Sequence, residues 1–358
     1  MGLKLLFKKN IIFILLIMIF LLGCKKNEEK VVHKKIKNKK LLEEVVPWRG
    51  WQYSVEIYDN DIYFMGKNNK NSKNSIIVYD KNYNKIRRID FKKGKGPGEL
   101  MYPFDFEIFK NKIFVYDDVL KRVSVFNLNG KYLDDYKVNF VSQIGNFIVV
   151  NDYFIFSGFL KNKLVKYNYK KNEIVKKIDF KNKLFDKNSK KMDLKNKQIP
   201  TSFITLDVKN KKIFLGKNSK PIRVEIYDYD LNKVDEFEYN LSEEYEELHF
   251  GERNFPTGDN AIGGIYLHNN NIYITYGGLA NREVSKDFYI LVFDRNSYKY
   301  KYTIKNEKLN NINSFISIGG IINNEFNLIV KEKDKKRSSF LGYKKDNKYI
   351  TVLLNLEI

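Results

Sequence analysis

The chain repeats itself, and a repeat of this length restricts the folds open to it more than any other feature. The recurring unit is an apolar strand, a turn rich in Asn, Lys or Asp, and an Ile-Tyr-like strand. A Val-Tyr-Asp-like strand, a second polar turn and a last strand complete it. The first copy, Tyr53 to Phe91, contains Ile62-Tyr63-Phe64 and Ile76-Ile77-Val78-Tyr79-Asp80. The second spans Phe104 to Val138, the third Ile144 to Phe180 and the fourth Phe203 to Tyr239. The fifth, Ile262 to Ile304, contains Ile272-Tyr273-Ile274 and Ile290-Leu291-Val292-Phe293-Asp294. The sixth, Phe315 to about Leu354, is the most diverged, with Phe326 to Val330 as its second strand.

Each copy supplies four short β-rich strands bounded by turn residues, the pattern of successive antiparallel meanders. Six such units of about 53 residues predict an all-β fold, a six-bladed β-propeller of four-stranded antiparallel blades. One four-stranded sheet that is apolar on both faces becomes stable only when neighbours cover it, and a closed ring covers every sheet. A sandwich accommodates the copy number less well. Helical alternatives fail because only Leu241 to His249 approaches a 3.6-residue apolar period. Closure is expected through a terminal strand pairing into the blade of the other terminus.

The N-terminus fixes where this domain works. Lys4, Lys8 and Lys9 precede an apolar run from Ile11 to Leu22, and Leu21-Leu22-Gly23-Cys24 follows. Basic, apolar and small-residue segments in that order form an export signal. A run of 12 residues is too short to span a bilayer. Leu-Leu-Gly-Cys resembles the lipobox of bacterial lipoproteins, which implies acylation of Cys24 after cleavage. Cys24 is the only cysteine, so neither disulfides nor thiol catalysis are available to the mature chain. The expected organisation is a signal peptide over 1–23, a lipidated N-terminus and basic flexible tether over 24–44, and the propeller over 45–358. The expected location is the extracytoplasmic side of a bacterial inner or outer membrane, held by lipid on Cys24.

The formal charge of +22 invites a nucleic-acid reading, which its distribution argues against. Lys25 to Lys40 hold eight lysines against Glu28 and Glu29. Much of the remaining excess is lysine scattered among asparagines on turns, as in Lys67-Asn68-Asn69-Lys70-Asn71. RNA readers interleave aromatics with clustered arginine on one face. Here arginine is sparse, and an exported protein meets little nucleic acid. Residues Lys25 to Lys40 carry too few apolar groups to bury a core, which is why they read as a tether.

Between the first and second copies lies Gly94-Lys95-Gly96-Pro97-Gly98-Glu99-Leu100. It is followed by Ile113-Phe114-Val115-Tyr116-Asp117 and Arg122-Val123-Ser124-Val125-Phe126-Asn127-Leu128-Asn129-Gly130. This stretch of about 40 residues resembles an NHL repeat, and with the lipobox the chain is similar to exported six-bladed propeller lipoproteins of bacteria. The resemblance implies that Asp117 and Arg122 pair in a blade-stabilising contact. Gly94 to Glu99 lacks the Gly-Lys-Ser/Thr ending and following helix of a phosphate loop. Pro97-Gly98 instead suits the centre of a type II turn.

No catalytic constellation is legible. His33, His249 and His268 lack partners at metal-ligand spacing, no Gly-x-Ser-x-Gly elbow occurs, and neither metal nor cofactor is expected. Glu243-Glu244-Tyr245-Glu246-Glu247 reads as a solvated turn. Two long connections stand out, Lys181 to Thr201 and Asn240 to Ala261. The second places Phe250, Arg253 and Phe255 in one loop, the side-chain chemistry that dominates binding hot spots. The Gly277-Gly278 turn of the fifth copy is expected to contribute to the same face. The sequence therefore points to a binding or assembly scaffold for an envelope protein, peptide or glycan. A metal-assisted hydrolase or lyase, and a structural envelope protein without a ligand, are the alternatives.

Overall fold

The computed structural model describes residues 31–34, 36–42, 45–46, 54–68, 73–138, 140, 144–158, 162–179, 202–217, 221–240, 262–276, 289–306, 312–322, 325–333 and 349–357. The chain enters as β1 (Val31–Lys34) and β2 (Ile36–Leu42). Blade one follows, with β3 (Val45–Val46) and β4 (Ser54–Tyr58) both pairing along β5 (Asp61–Asn68), then β6 (Asn74–Tyr79) and β7 (Lys85–Asp90). Blade two is β8 (Pro103–Phe109), β9 (Lys112–Asp117), β10 (Arg122–Asn127) and β11 (Tyr132–Lys137). Blade three is β12 (Ile144–Val150), β13 (Tyr153–Gly158), β14 (Asn162–Asn168) and β15 (Glu173–Asp179). Blade four is β16 (Ser202–Asp207), β17 (Lys212–Lys217), β18 (Ile222–Asp228) and β19 (Lys233–Tyr239). Blade five is β20 (Ile262–His268), β21 (Asn271–Tyr276), β22 (Tyr289–Asp294) and β23 (Tyr300–Asn306). A last sheet joins β24 (Ile312–Ile322), β25 (Glu325–Lys333) and β26 (Tyr349–Glu357) to β2.

The fold is a β-propeller of four-stranded antiparallel blades. Where six like meanders were expected, five blades are built from consecutive strands. The last sheet borrows its outermost strand from the other end of the chain. The first strands of the sheets lie side by side in the order β4, β8, β12, β16, β20, β24, and β24 returns to β4.

The local chemistry accounts for this regularity. The first hairpins of blades one and two turn on Asp59-Asn60 and Lys110-Asn111, all four at positive φ, the backbone of a type I′ turn. The third strand of blades two to five ends on Asn127, Asn168, Asp228 or Asp294, and Asp80 directly follows that of blade one. Each of these side chains accepts backbone N–H groups from the turn that follows. Asp80 Oδ1, for instance, accepts from Asn82 N and Asn84 N, both at 2.8 Å. The Asp of the Val-Tyr-Asp pattern is therefore a turn-closing acceptor. In the same five hairpins the strand register slips beside the turn.

The core lies between blades. Tyr63, Ile76 and Val78 of blade one pack against Phe106, Ile113 and Val115 of blade two. Phe114, Val123 and Val125 meet Phe147, Phe154 and Val165 across the next seam. Ile148 and Ile155 pack on Ile213 and Leu215, and Phe214, Val224 and Ile226 on Ile265, Ile274 and Leu291. Each such side chain contributes about 1.5–3 kcal/mol by leaving water. Neither face of a blade can thus be exposed without loss.

The tether reading is corrected in part. β1 pairs in parallel with β23 at the outer edge of blade five, and β2 pairs with β26. Poor core-forming power does not prevent edge pairing, which uses main-chain hydrogen bonds, and lysines suit an outermost strand. Paired strands therefore occur within Val31–Leu42, ahead of the expected start near Val45. The export signal, Cys24, His249, the Glu243 to Glu247 run, Phe250, Arg253, Phe255, Gly277, Gly278 and most of the Lys181 to Thr201 and Asn240 to Ala261 connections lie outside the described residues.

Candidate functional site

Two polar clusters involve blade two, and they differ in kind. The first is the loop that the sequence marked, Gly94 to Glu99. Glu99 N donates to Gly96 O at 3.1 Å and Gly98 has φ +69°, which makes Gly96 to Glu99 a type II turn with glycine at its required position. A Cβ on Gly98 would also stand 2.8 Å from the Tyr132 ring. Glu99 folds back so that its Oε2 accepts from Gly96 N at 2.9 Å. An anion would have to displace that carboxylate, so the loop does not cradle phosphate.

Arg122 fastens this loop. Its guanidinium donates to the carbonyls of Lys95 at 3.2 Å and Gly96 at 2.7 Å, and to that of Glu99. It also lies 3.3 Å from Asp135 Oδ2. Asp117 stands directly opposite Arg122 across the β9–β10 pair. Its carboxylate accepts instead from four backbone N–H groups, those of Met101, Tyr102, Val119 and Leu120, at 2.7–3.0 Å. Burial pushes the Asp117 carboxyl up, against the pull of these donors and of Arg122. Blade stabilisation by these two residues is thus achieved through the main chain, each fixing a separate turn.

The second cluster was missed by sequence reasoning. Glu56 on β4, and Asp105 and Glu107 on β8, lie on adjacent innermost strands. Glu56 stands opposite Tyr63 and Glu107 opposite Phe114, at the same position of their hairpins. The corresponding residues are Ile148 in blade three and Tyr266 in blade five. Comparing copies one and two would have revealed the shared Glu-Ile-Tyr/Phe ending of the first strand. Asp105 is buried and accepts from Phe106 N at 3.0 Å and from Phe147 N of blade three at 3.3 Å. Among the described residues no lysine or arginine pairs with Glu56 or Glu107. Burial, with the Asp105 charge added, pushes the Glu56 carboxyl up to about 8. Burial, Glu56 and Asp105 hold Glu107 well above the ordinary carboxylate range. Neighbouring acids that cannot all ionise share protons.

Other buried charged groups are paired within the scaffold. Arg295 of blade five forks onto Asp207 of blade four, Lys166 Nζ reaches Asp230 at 2.7 Å, and the Tyr227 hydroxyl donates to Glu225 at 2.7 Å. Among the described residues no group of three or more His, Cys, Asp or Glu side chains could hold a metal ion. His33 lies on β1 and His268 at the end of β20, on different elements. Phe250, Arg253 and Phe255 fall outside the described residues.

No family model matches the chain, and no curated protein matches it. The NHL-like reading accordingly rests on the blade-two motif alone. Solved structures resemble it at the level of fold. A member of the DUF4221 family from Bacteroides vulgatus is 12% identical, with a TM-score of 0.57 over 90% of this chain and 97% of that one. An exported protein of Bacteroides fragilis is 12% identical, with a TM-score of 0.48 over 92% of this chain and all of that one. Virginiamycin B lyase from Staphylococcus aureus is 11% identical, with a TM-score of 0.47 over 90% of this chain and all of that one.

Proposed function

We propose that the chain is a lipid-anchored, extracytoplasmic β-propeller that acts as a binding or assembly scaffold for an envelope protein, peptide or glycan. The sheet of β24 to β26 and β2 serves as its closing, sixth blade, as the rhythm of the sequence implies. The observation that carries the binding reading is the carboxyl pair Glu56 and Glu107. The scaffold satisfies its buried carboxylates with backbone amides, hydroxyls or cations, yet keeps these two half-buried acids together on adjacent innermost strands. Groups retained in this way serve a ligand more often than the fold. A partner offering cations or hydroxyls suits them. The loop of Phe250, Arg253 and Phe255 is proposed as a further recognition surface, and the basic exterior would raise encounter rates.

Affinity capture from the native envelope tests this. Wild type should retain a partner that Glu56→Gln and Glu107→Gln lose, with melting temperatures at or above wild type. Equal recovery by all three proteins would exclude the inner rim as the site.

A second reading, a hydrolase or lyase, draws on the same Glu56. An acid that keeps its proton near neutral pH is the group general-acid catalysis needs. Bound-metal analysis, together with substrate turnover that disappears in Glu56→Gln, would favour it.

A further inference from the structure

We propose that the rim carrying β1 and β2 is the side of the propeller that faces the bilayer, docked on anionic lipid headgroups. The proposal rests on the reading of Cys24 as the lipid attachment point. A tether ending near Val45 could span about 70 Å and leave the domain free to tumble. The chain instead joins the outer edge of blade five at Val31, seven residues after Cys24. Seven residues reach at most about 25 Å. The seam between blade five and the closing sheet is therefore the part of the propeller held nearest the membrane.

Charge is distributed around the rim to match. β1 and β2 bring Lys34, Lys37, Lys39 and Lys40 and no acid, and Lys25, Lys26 and Lys30 precede them. The closing sheet that β2 completes does not add to this excess, since Glu325, Glu332 and Glu357 offset Lys331 and Lys333, whereas β23 beside β1 adds Lys301 and Lys305. Elsewhere on the ring the outermost strands vary: β7 of blade one is net basic, with Lys85, Arg87 and Arg88 against Asp90, and β15 of blade three is balanced, whereas those of blades two and four are net acidic. β11 carries Asp134 and Asp135 against Lys137, and β19 carries Asp235, Glu236 and Glu238 against Lys233. Each lysine near an anionic surface contributes about 1 kcal/mol, and the field decays within a Debye length of about 8–10 Å. Only a segment already held close to the surface can use it, and the short link from Cys24 provides that closeness. A propeller fixed this way stands on its rim and keeps both ends of its ring open to partners.

Cys24 being the sole cysteine, lipidation leaves no other thiol, and single cysteines can be placed for fluorescent labelling. Lys301 is exposed on β23 beside β1, whereas Leu133 on β11 and Val175 on β15 are exposed on blades two and three. Lipidated Lys301→Cys, Leu133→Cys and Val175→Cys proteins are reconstituted in liposomes containing phosphatidylglycerol and a nitroxide-headgroup lipid. Quenching is expected to be at least threefold stronger at Lys301→Cys than at the other two. That difference should shrink in phosphatidylcholine alone and when Lys34, Lys37, Lys39 and Lys40 become glutamine. Equal quenching at the three sites overturns the proposal, as does an asymmetry indifferent to both lipid charge and the lysine changes. The mass of the N-terminal peptide reads acylation separately. Acylated protein quenched equally refutes the orientation alone, whereas unacylated Cys24 refutes the anchor and the proposal with it.

Discussion

Arg295, just past the end of β22 in blade five, grips Asp207 at the end of β16 in blade four through two guanidinium nitrogens. Nε donates to Asp207 Oδ2 at 2.8 Å and Nη2 to Oδ1. Asp207 is fully buried and Arg295 nearly so. Asn210 adds two donors to the carboxylate, and Arg295 Nη1 reaches Asn269 O at 3.0 Å. Burial opposes the Asp207 charge, but Arg295 and Asn210 outweigh it and hold the carboxyl below its ordinary value. The pair ties together two blades whose residues are 88 positions apart in the chain.

Removing one member of such a pair leaves an uncompensated buried charge, which typically costs about 3–5 kcal/mol. Arg295→Ala should lose that much in urea unfolding, and Arg295→Lys should recover less than half, because an ammonium cannot fork. The double variant with Asp207→Ala should lose less than the sum of the single changes. A loss under about 0.5 kcal/mol in Arg295→Ala would show that the seam holds without the pair.

Asp117→Ala should cost about 2–4 kcal/mol, since it strips four backbone N–H groups of their acceptor. The effect should be local in hydrogen exchange, with Met101, Tyr102, Val119 and Leu120 losing protection together. Arg122→Ala should expose a different set, the amides of the Gly94 to Leu100 loop. If both variants deprotect the same amides, the two residues act as one contact after all.

The inner acids predict an unusual pH response. Glu56 has a folded value near 8 against an ordinary 4.5, so the folded state holds a proton that the unfolded chain releases. Its contribution is fully present below about 4.5 and is lost as pH rises through about 8. Glu107 acts in the same direction. Urea midpoints should therefore fall between pH 5 and pH 9, and Glu56→Gln with Glu107→Gln should flatten that decline. Asp207 works oppositely, losing its contribution as pH falls below its ordinary range. A midpoint that rises steadily from pH 5 to pH 9 would contradict protonated inner glutamates.

Most of the fold was legible because its periodic elements are local. The Asp of Val-Tyr-Asp closes its own turn, and Asp59-Asn60 makes its own hairpin, so strand ends followed from adjacent residues. The same locality made Pro97-Gly98 readable as a turn. What escaped was non-local. Glu56 and Glu107 meet because β4 and β8 are neighbours in the ring, and each alone resembles any polar residue alternating on a strand. β1 and β2 escaped for another reason. An outer edge strand needs backbone partners rather than apolar side chains, so a lysine-rich stretch carried no hydrophobic signal of pairing.

The last prediction follows from that edge pairing. β2 meets β26 in six cross-strand pairs, Ile36 with Leu356 through Leu42 with Thr351, and so joins the two ends of the chain within one sheet. No disulfide is available to do this, as Cys24 is the only cysteine. Deleting residues 25–42 should lower stability by about 3 kcal/mol, from several net hydrogen bonds of about 0.5–1.5 kcal/mol each. In a protein of this size that is a fall of about 4–5 °C in Tm. Because the last sheet lies against both β4 and β20, the loss should appear in one lowered cooperative transition rather than in a separate early step. Deleting only 25–34 removes β1, a fifth strand on an already complete blade, and should cost less than half as much. If the protein lacking 25–42 melts like the intact one, β2 does not close the ring, and closure must lie in the packing of β24 beside β4.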